Sequence, residues 1–317
     1  MTFQYPIKQL VLSHSARSTA RSCMRKFEFS KMYGDPSEKE EMYAAEVGKA
    51  LHEGFQNFLI HKDETKAVFA MMMAFPFELE YAKDENQRNR PFEAVYATLM
   101  ELIRSPVVDR YELVKIKTQW GEEKHAVEVS FAIEIVGAPL PIPVWFVGFI
   151  DAILYDRLED RYLVTDIKTT RVNIVDYSVR YEFDEQTVPY GIILEHILGK
   201  KIDEFKVSYL SAYIDLLEPK VSMYPFVKTQ EHINDWFIGL CEDINRIGRY
   251  YKKQFFPRAT NGDVCYSYNK PCWFATYCSN RNPEITNRLI GGIPRDGLFH
   301  DGQEPWIVAQ LDYQEVL

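Results

Sequence analysis

The stretch YLVTDIKTTR, residues 162–171, sets an acid and a base two positions apart inside a run that otherwise reads as a buried strand. Side chains two apart on a strand share a face, so Asp166 and Lys168 are neighbours while Ile167 points the other way into a core. Asp and Lys are seldom fully buried without a partner, and the preceding strand offers one. VWFVGFIDAILYD, residues 144–156, is joined to it by a short turn. With that turn centred on Leu158 and Glu159, opposed residues carry numbers that sum to 317, which sets Asp151 across from Asp166. Two carboxylates facing each other cost a sheet a few tenths to about 1 kcal/mol. A cation between them, or a proton on one, removes that penalty. Oxygen ligands converging in this way suit a hard ion such as Mg²⁺ or Mn²⁺, and Gly148 leaves room nearby.

Outward from this hairpin, YELVKIK (111–117) and HAVEVSFAIEIVG (125–137) alternate as strands with short connections, which predicts an antiparallel meander. Downstream the periodicity predicts a helix over 184–198, strands over 205–213 and 221–227, and a helix over 230–253. Upstream, Ser13 or Ser15 caps a helix running to Met32, with Gly34-Asp35-Pro36 as its stop. A second helix spans 40–61, with Ala44, Val47, Leu51, Phe55 and Phe58 at helical spacing. Residues 65–104 continue helical, interrupted near Pro76 and at KDENQRNRP. Residues 255–317 are rich in turn formers and aromatics and show little periodicity. The prediction is one α/β domain in three parts: a mainly helical 1–104, a core over 105–254, and an irregular tail over 255–317.

Composition is that of an ordinary globular protein, at 46% hydrophobic and 26% charged residues. No apolar run is long enough to span a bilayer, and MTFQYPIKQL lacks a signal-peptide core, so the expectation is a cytoplasmic protein without a membrane partner. The net charge of −9 excludes simple coating of nucleic acid but not a local basic groove. Residues 1–33 carry six cations against Glu28 alone, and residues 246–258 carry five with no acid. Either stretch is also consistent with a solvated helix face. The five cysteines point to metal rather than disulfides. Cys241 falls in an amphipathic helix and reads as a core thiol. Cys23, Cys265, Cys272 and Cys278 remain as a quartet for zinc or for an iron–sulfur cluster. Close Cys-x₂-Cys pairs, usual for zinc, are absent.

GFID at 148–151 followed by DIK at 166–168 resembles the PD-(D/E)xK nuclease superfamily, and within it the RecB-like exonucleases. GKALHEGF resembles the family's helical Gly-x-x-x-His segment, QTVPY its Gln-x-x-x-Tyr motif, and SHSARSTARSCMRKFEF its amino-terminal Ser and Cys segment. CYSYNKPCWFATYC resembles the late cysteines of the iron–sulfur branch, which includes CRISPR-associated exonucleases and viral relatives. The motifs stand in the family's order. This chain departs in having Asp two before the lysine, wider late-cysteine spacing, and Pro189 inside the Gln-x-x-x-Tyr stretch, which requires a helix starting near Asp184.

The resemblance implies a restriction-endonuclease-like core, a central mixed sheet flanked by helices, with a helical insertion. It implies metal ligation by His52, Asp151, Asp166 and the Ile167 carbonyl, with Lys168, Asp151 and Asp166 catalytic. It implies DNA handling by Gln186 and Tyr190, with Arg21, Arg25 and Lys26 along the DNA path, and a [4Fe–4S] cluster on Cys23, Cys265, Cys272 and Cys278. Glu128, on the strand before the hairpin, either reaches a second ion or is an exposed strand position. The function implied is Mg²⁺- or Mn²⁺-dependent exonuclease action on DNA, as single strands or duplex ends, in DNA processing, recombination or repair. A homo-oligomer or a recombination or CRISPR-type protein partner is compatible with it, as is a host-cell cytoplasmic setting for a viral protein. Two other readings stay open: an inactive nuclease-fold DNA-binding module, and a zinc-stabilised interaction protein.

Overall fold

The structure, a computed structural model, describes residues 5, 7–33, 43–80, 90–170, 183–199, 201, 205–214, 217–267, 270–278, 297–299 and 303–316. The chain opens with β1 (Leu10–Leu12). Ser13 follows in extended backbone, and its Oγ accepts the Ala16 N–H to cap α1 (His14–Ser22). The single helix expected to reach Met32 is broken. Cys23 is extended, and its sulfur accepts the Lys26 N–H to start α2 (Met24–Phe27), after which a π-helical turn covers Glu28–Met32. The expected Gly34–Pro36 stop, and residues 83–89 of the polar run, lie outside the described residues.

Helices α3 (Tyr43–His61), α4 (Glu64–Ala74), α5 (Phe77–Glu80), α6 (Phe92–Arg104) and α7 (Pro106–Asp109) follow. The strands are β2 (Tyr111–Leu113), β3 (Lys115–Lys117), β4 (Glu123–His125), β5 (Val127–Val136), β6 (Val144–Asp156) and β7 (Arg161–Thr170). Helix α8 (Val188–Leu198) starts four residues later than expected. That places Pro189 in its first turn, where no backbone N–H is needed, and Gly199 ends it at φ +64°. Strands β8 (Phe205–Tyr213) and β9 (Lys220–Phe226) and the long α9 (Gln230–Lys253) match their sequence patterns. The tail is less irregular than predicted. It holds α10 (Gly262–Cys265), the small hairpin β10 (Tyr266–Ser267) and β11 (Lys270–Pro271), and a six-residue strand, β12 (Ile307–Asp312).

The described chain forms two compact units, and their boundaries fall inside β5 and β6. One unit comprises Glu40–Val129 and Phe149–Ile233. In it β6 runs antiparallel to β2 and to β7, with β6–β7 pairs from Asp156–Arg161 to Ala152–Thr165. Strand β7 is parallel to β8, and β8 is antiparallel to β9. A parallel neighbour needs a crossover, and α8 lies in the chain between the two strands to supply it. Val47, Leu51 and Phe55 of α3 and Val95 and Leu99 of α6 share one buried cluster with Ala152, Leu154, Leu163, Ile167 and Leu210 of the sheet. Each such large side chain contributes roughly 1.5–3 kcal/mol when fully buried. Strand β7 therefore turns Leu163 and Ile167 to the helices, as its alternation requires.

The other unit comprises Met1–Lys39, Ser130–Gly148 and Asn234–Leu317. Here β1 lies parallel to the start of β6, and β12 lies parallel to β5. Asp243 of α9 accepts hydrogen bonds from Arg17 at 2.9 Å and Arg21 at 3.0 Å, tying α1 to α9. The fold is α/β, a mixed sheet flanked by helices.

Candidate active site

Three residues one turn apart on α3, Gly48, His52 and Gln56, face one direction. A Cβ on Gly48 would lie 3.1 Å from Thr169 Oγ1 of β7, so glycine here lets the helix approach the strand closely. That approach brings His52 Nε2 to 2.9 Å from the Ile167 carbonyl oxygen. A carbonyl only accepts, so the pairing requires the proton on Nε2 and leaves the lone pair on Nδ1. Nδ1 stands 3.8 Å from Asp151 Oδ2. Burial holds the His52 pKa below its usual value, outweighing the attraction of Asp166 and the bond to Ile167. The imidazole is held neutral, the form that can ligate a metal ion.

The β6–β7 register follows the predicted sum up to the Ala152–Thr165 pair, and the Asp166 charge acts on Asp151. Beyond the Ala152–Thr165 pair, Asp151 Oδ2 accepts the Ile167 N–H at 2.6 Å, in place of a backbone rung. Burial, then Asp166 and Glu128, raise the Asp151 carboxyl well above the usual range, against the pull of the Ile167 N–H and Lys168. Asp166 is almost fully buried. Lys168 Nζ lies 2.6 Å from its Oδ2. Gln186 Nε2 and the Tyr190 hydroxyl donate to its Oδ1 at 2.8 and 3.2 Å. Lys168 Nζ also donates to Gln186 Oε1 at 3.0 Å. Burial disfavours the ammonium, yet Asp166 and Asp151 outweigh it, and the Lys168 pKa is raised. The lysine stays charged.

Glu128 is the residue the sequence left open. It is not an ordinary strand position: its φ is +48°, in the left-handed region. Donor atoms of His52, Glu128 and Asp151 lie within 4.8 Å of one another. One imidazole nitrogen and two carboxylates suit Mg²⁺ or Mn²⁺ by ligand hardness. Asp166, expected as a ligand, lies beside this triangle; Gln186 and Tyr190 bond its Oδ1, while its buried Oδ2 has the Lys168 ammonium nearby but accepts no hydrogen bond among the described residues. Gln186 precedes α8 rather than lying within it, and Tyr190 is 3% exposed. Both hydrogen-bond Asp166 Oδ1. Gly148, expected to leave room for the site, instead accommodates Phe131, whose Cζ would lie 2.6 Å from an added Cβ. Sequence reasoning missed Gln56, which donates to Glu128 Oε1 at 2.5 Å. The signal was a polar residue four past His52, on the same face of the helix.

In the other unit, Cys23, Cys265, Cys272 and Cys278 line one cavity of about 210 Å³ together with Arg25, Lys26 and Arg258. The helix break at Cys23 exposes its sulfur to the Lys26 and Ala259 N–H groups, each at 3.4 Å. The β10–β11 hairpin doubles the chain back so that the Cys272 N–H meets the Cys265 carbonyl at 2.7 Å. Burial and the neighbouring Cys23 and Cys265 raise the Cys278 thiol, against Arg25 and Arg258. A metal relieves such crowding of sulfurs, so the donor set fits one. Cys241 is buried on α9, pushed up to about 11 by burial, and takes no part in lining the cavity. Of the expected DNA-path cations, Arg21 bonds Asp243. Arg25 is buried with its guanidinium 2.9 Å from Glu28 Oε2. A buried carboxylate needs such a partner, and only Lys26 of the three is not tied down in this way.

Residues 11–279 match the model of the PD-(D/E)XK nuclease superfamily, and the chain belongs to that superfamily. A crystal structure from Eubacterium rectale, of a protein described as a putative exonuclease, shares the fold with a TM-score of 0.50 at 14% identity. The match covers 85% of this chain and 93% of that one. A second structure, of a protein designated SSO0001, aligns over 65% of this chain and 74% of its own, at 14% identity and a TM-score of 0.26. No curated protein sequence matches the chain.

Proposed function

We propose that this chain is a metal-dependent DNA exonuclease with a structural [4Fe–4S] cluster, working in DNA processing, recombination or repair. The observation that carries the reading is the convergence of His52, Glu128 and Asp151 beside a lysine that Asp166 keeps charged. His52, Asp151 and Asp166 would hold Mg²⁺ or Mn²⁺ together with Glu128, and the Ile167 carbonyl would join them where the ion replaces the His52 Nε2 proton that it accepts. Bound there, such an ion lowers the pKa of a water and offsets charge on the scissile phosphate. Lys168 neutralises the same phosphate and orients the attacking water. Asp166 keeps its catalytic assignment through Lys168, which it holds at 2.6 Å, while Gln186 and Tyr190 fix Asp166 in turn. Ile167 anchors the strand between its two polar neighbours.

The four cysteines would carry the cluster as a staple, since phosphodiester hydrolysis moves no electrons. Metal binding at the late cysteines would add folding free energy to this part of the tail. Lys26 and Arg258, beside that cavity, provide basic surface for the DNA backbone. Both units are read as one nuclease domain because their boundaries cut strands rather than linkers. Among the described residues no helix is long and apolar enough to cross a membrane. The test is incubation of end-labelled single- and double-stranded DNA with the protein in Mg²⁺, Mn²⁺ or excess chelator. Shortening from an end in either metal, abolished by chelator, is expected. Intact DNA in both metals contradicts the reading.

A further inference from the structure

Gln56 and Glu128 form a pair whose geometry exceeds what helix–strand packing needs. Gln56 is buried, at 6% exposure, and gives its amide N–H to Glu128 Oε1. Glu128 holds its left-handed backbone inside β5, a conformation that costs a residue with a Cβ on the order of 1–2 kcal/mol. A glycine would remove that cost, and an apolar residue would serve burial. A carboxylate kept there, near Glu53 and Asp166, gains nothing from packing alone.

We infer that Gln56 is a positioning residue for a divalent cation, fixing the plane of the Glu128 carboxylate so that it ligates together with His52 and Asp151. An amide is the right group for this task. It donates to an anion yet carries no charge to compete with the cation, whereas a lysine or arginine would. Because α3 carries both His52 and Gln56, one helix sets the imidazole and, at second hand, the carboxylate. The inference rests on the reading that this site binds Mg²⁺ or Mn²⁺, but not on what the protein does to DNA.

The test is Mn²⁺ titration by calorimetry, without DNA, on wild type, Gln56→Met, Glu128→Gln and the double variant. Methionine keeps the volume of glutamine and removes the amide; Gln56→Asn, too short to reach Glu128, replaces it if the first does not fold. Loss of a group that orients a ligand typically weakens metal binding about 10–100-fold, and that is the loss expected for Gln56→Met. Glu128→Gln should lose at least as much, and the double variant no more than Glu128→Gln alone. Wild-type affinity in Gln56→Met, an undiminished further loss in the Glu128→Gln background, or no Mn²⁺ binding by wild type overturns the inference. Wild type that shows the predicted Mn²⁺ pattern but leaves DNA intact overturns the nuclease reading and leaves this one standing.

Discussion

Asp151 accepts the backbone N–H of Ile167 at 2.6 Å, one step past the last antiparallel pair of the β6–β7 hairpin. A carboxylate proposed as a metal ligand thus also ties β6 to β7. Its two roles separate by substitution. Asp151→Asn keeps an oxygen that accepts the N–H and loses the charge that crowds Asp166 and Glu128. Asp151→Ala leaves a buried N–H without a partner, at about 1–3 kcal/mol. In metal-free buffer, urea unfolding should find the Asn variant at least as stable as wild type and the Ala variant less stable by that amount. Equal loss in both would show that the bond carries no weight.

Gly148→Ala tests the packing beside the catalytic strand. Alanine in a strand is favoured over glycine by roughly 0.5–1 kcal/mol, but its Cβ would meet two Phe131 ring atoms at 2.6 and 2.9 Å. Phe131 is fully buried, so the ring has little freedom to yield. Overpacking of this kind costs about 1–3 kcal/mol and outweighs the backbone gain. Thermal unfolding should show a net loss in Gly148→Ala that Phe131→Leu in the same chain partly restores. An alanine variant more stable than wild type would refute the contact.

Purified without oxygen, the protein is expected to be brown and to contain iron and acid-labile sulfide. Cys23→Ser retains an oxygen to accept the Lys26 and Ala259 N–H groups, so bleaching in that variant reports lost ligation rather than lost hydrogen bonds. Cys265→Ser, Cys272→Ser and Cys278→Ser should bleach likewise, and Cys241→Ala should keep its colour. Colourless protein with stoichiometric zinc would replace the cluster by a zinc site and leave the carboxylate site untouched.

The hairpin was legible because its signals are local: alternation on both strands and a turn at Leu158 and Glu159 fix the register. Its consequence was not. The paired ladder ends at Ala152–Thr165, and nothing in the sequence signals that the Asp151 side chain accepts the Ile167 N–H just beyond it. Glu128 could not be placed because nothing in a glutamate announces a left-handed backbone. The break at Cys23 was hidden for a related reason, since its flanks SARSTARS and MRKF both favour helix. Strand β12 was missed because its partner β5 lies 176 residues earlier, and no local pattern encodes so distant a pairing. Gln186 and Tyr190 were found through the resemblance, but only the hydrogen bonds to Asp166 show what they hold.

The most direct test of the central claim is the rate of end-labelled DNA degradation in Mn²⁺ by wild type and Lys168→Met, with DNA binding followed separately in Ca²⁺. Lys168 pairs with Asp166 and with none of His52, Glu128 and Asp151. Lys168→Met leaves that buried carboxylate to Gln186 and Tyr190, so rates are compared at a temperature where the variant is folded by circular dichroism. Removing one preorganised charge stabiliser typically costs about 100–1,000-fold in turnover. The account predicts a loss of that order in the variant, with DNA affinity little changed. Cleavage by Lys168→Met at the wild-type rate, or wild type that leaves DNA intact in Mn²⁺, would contradict it.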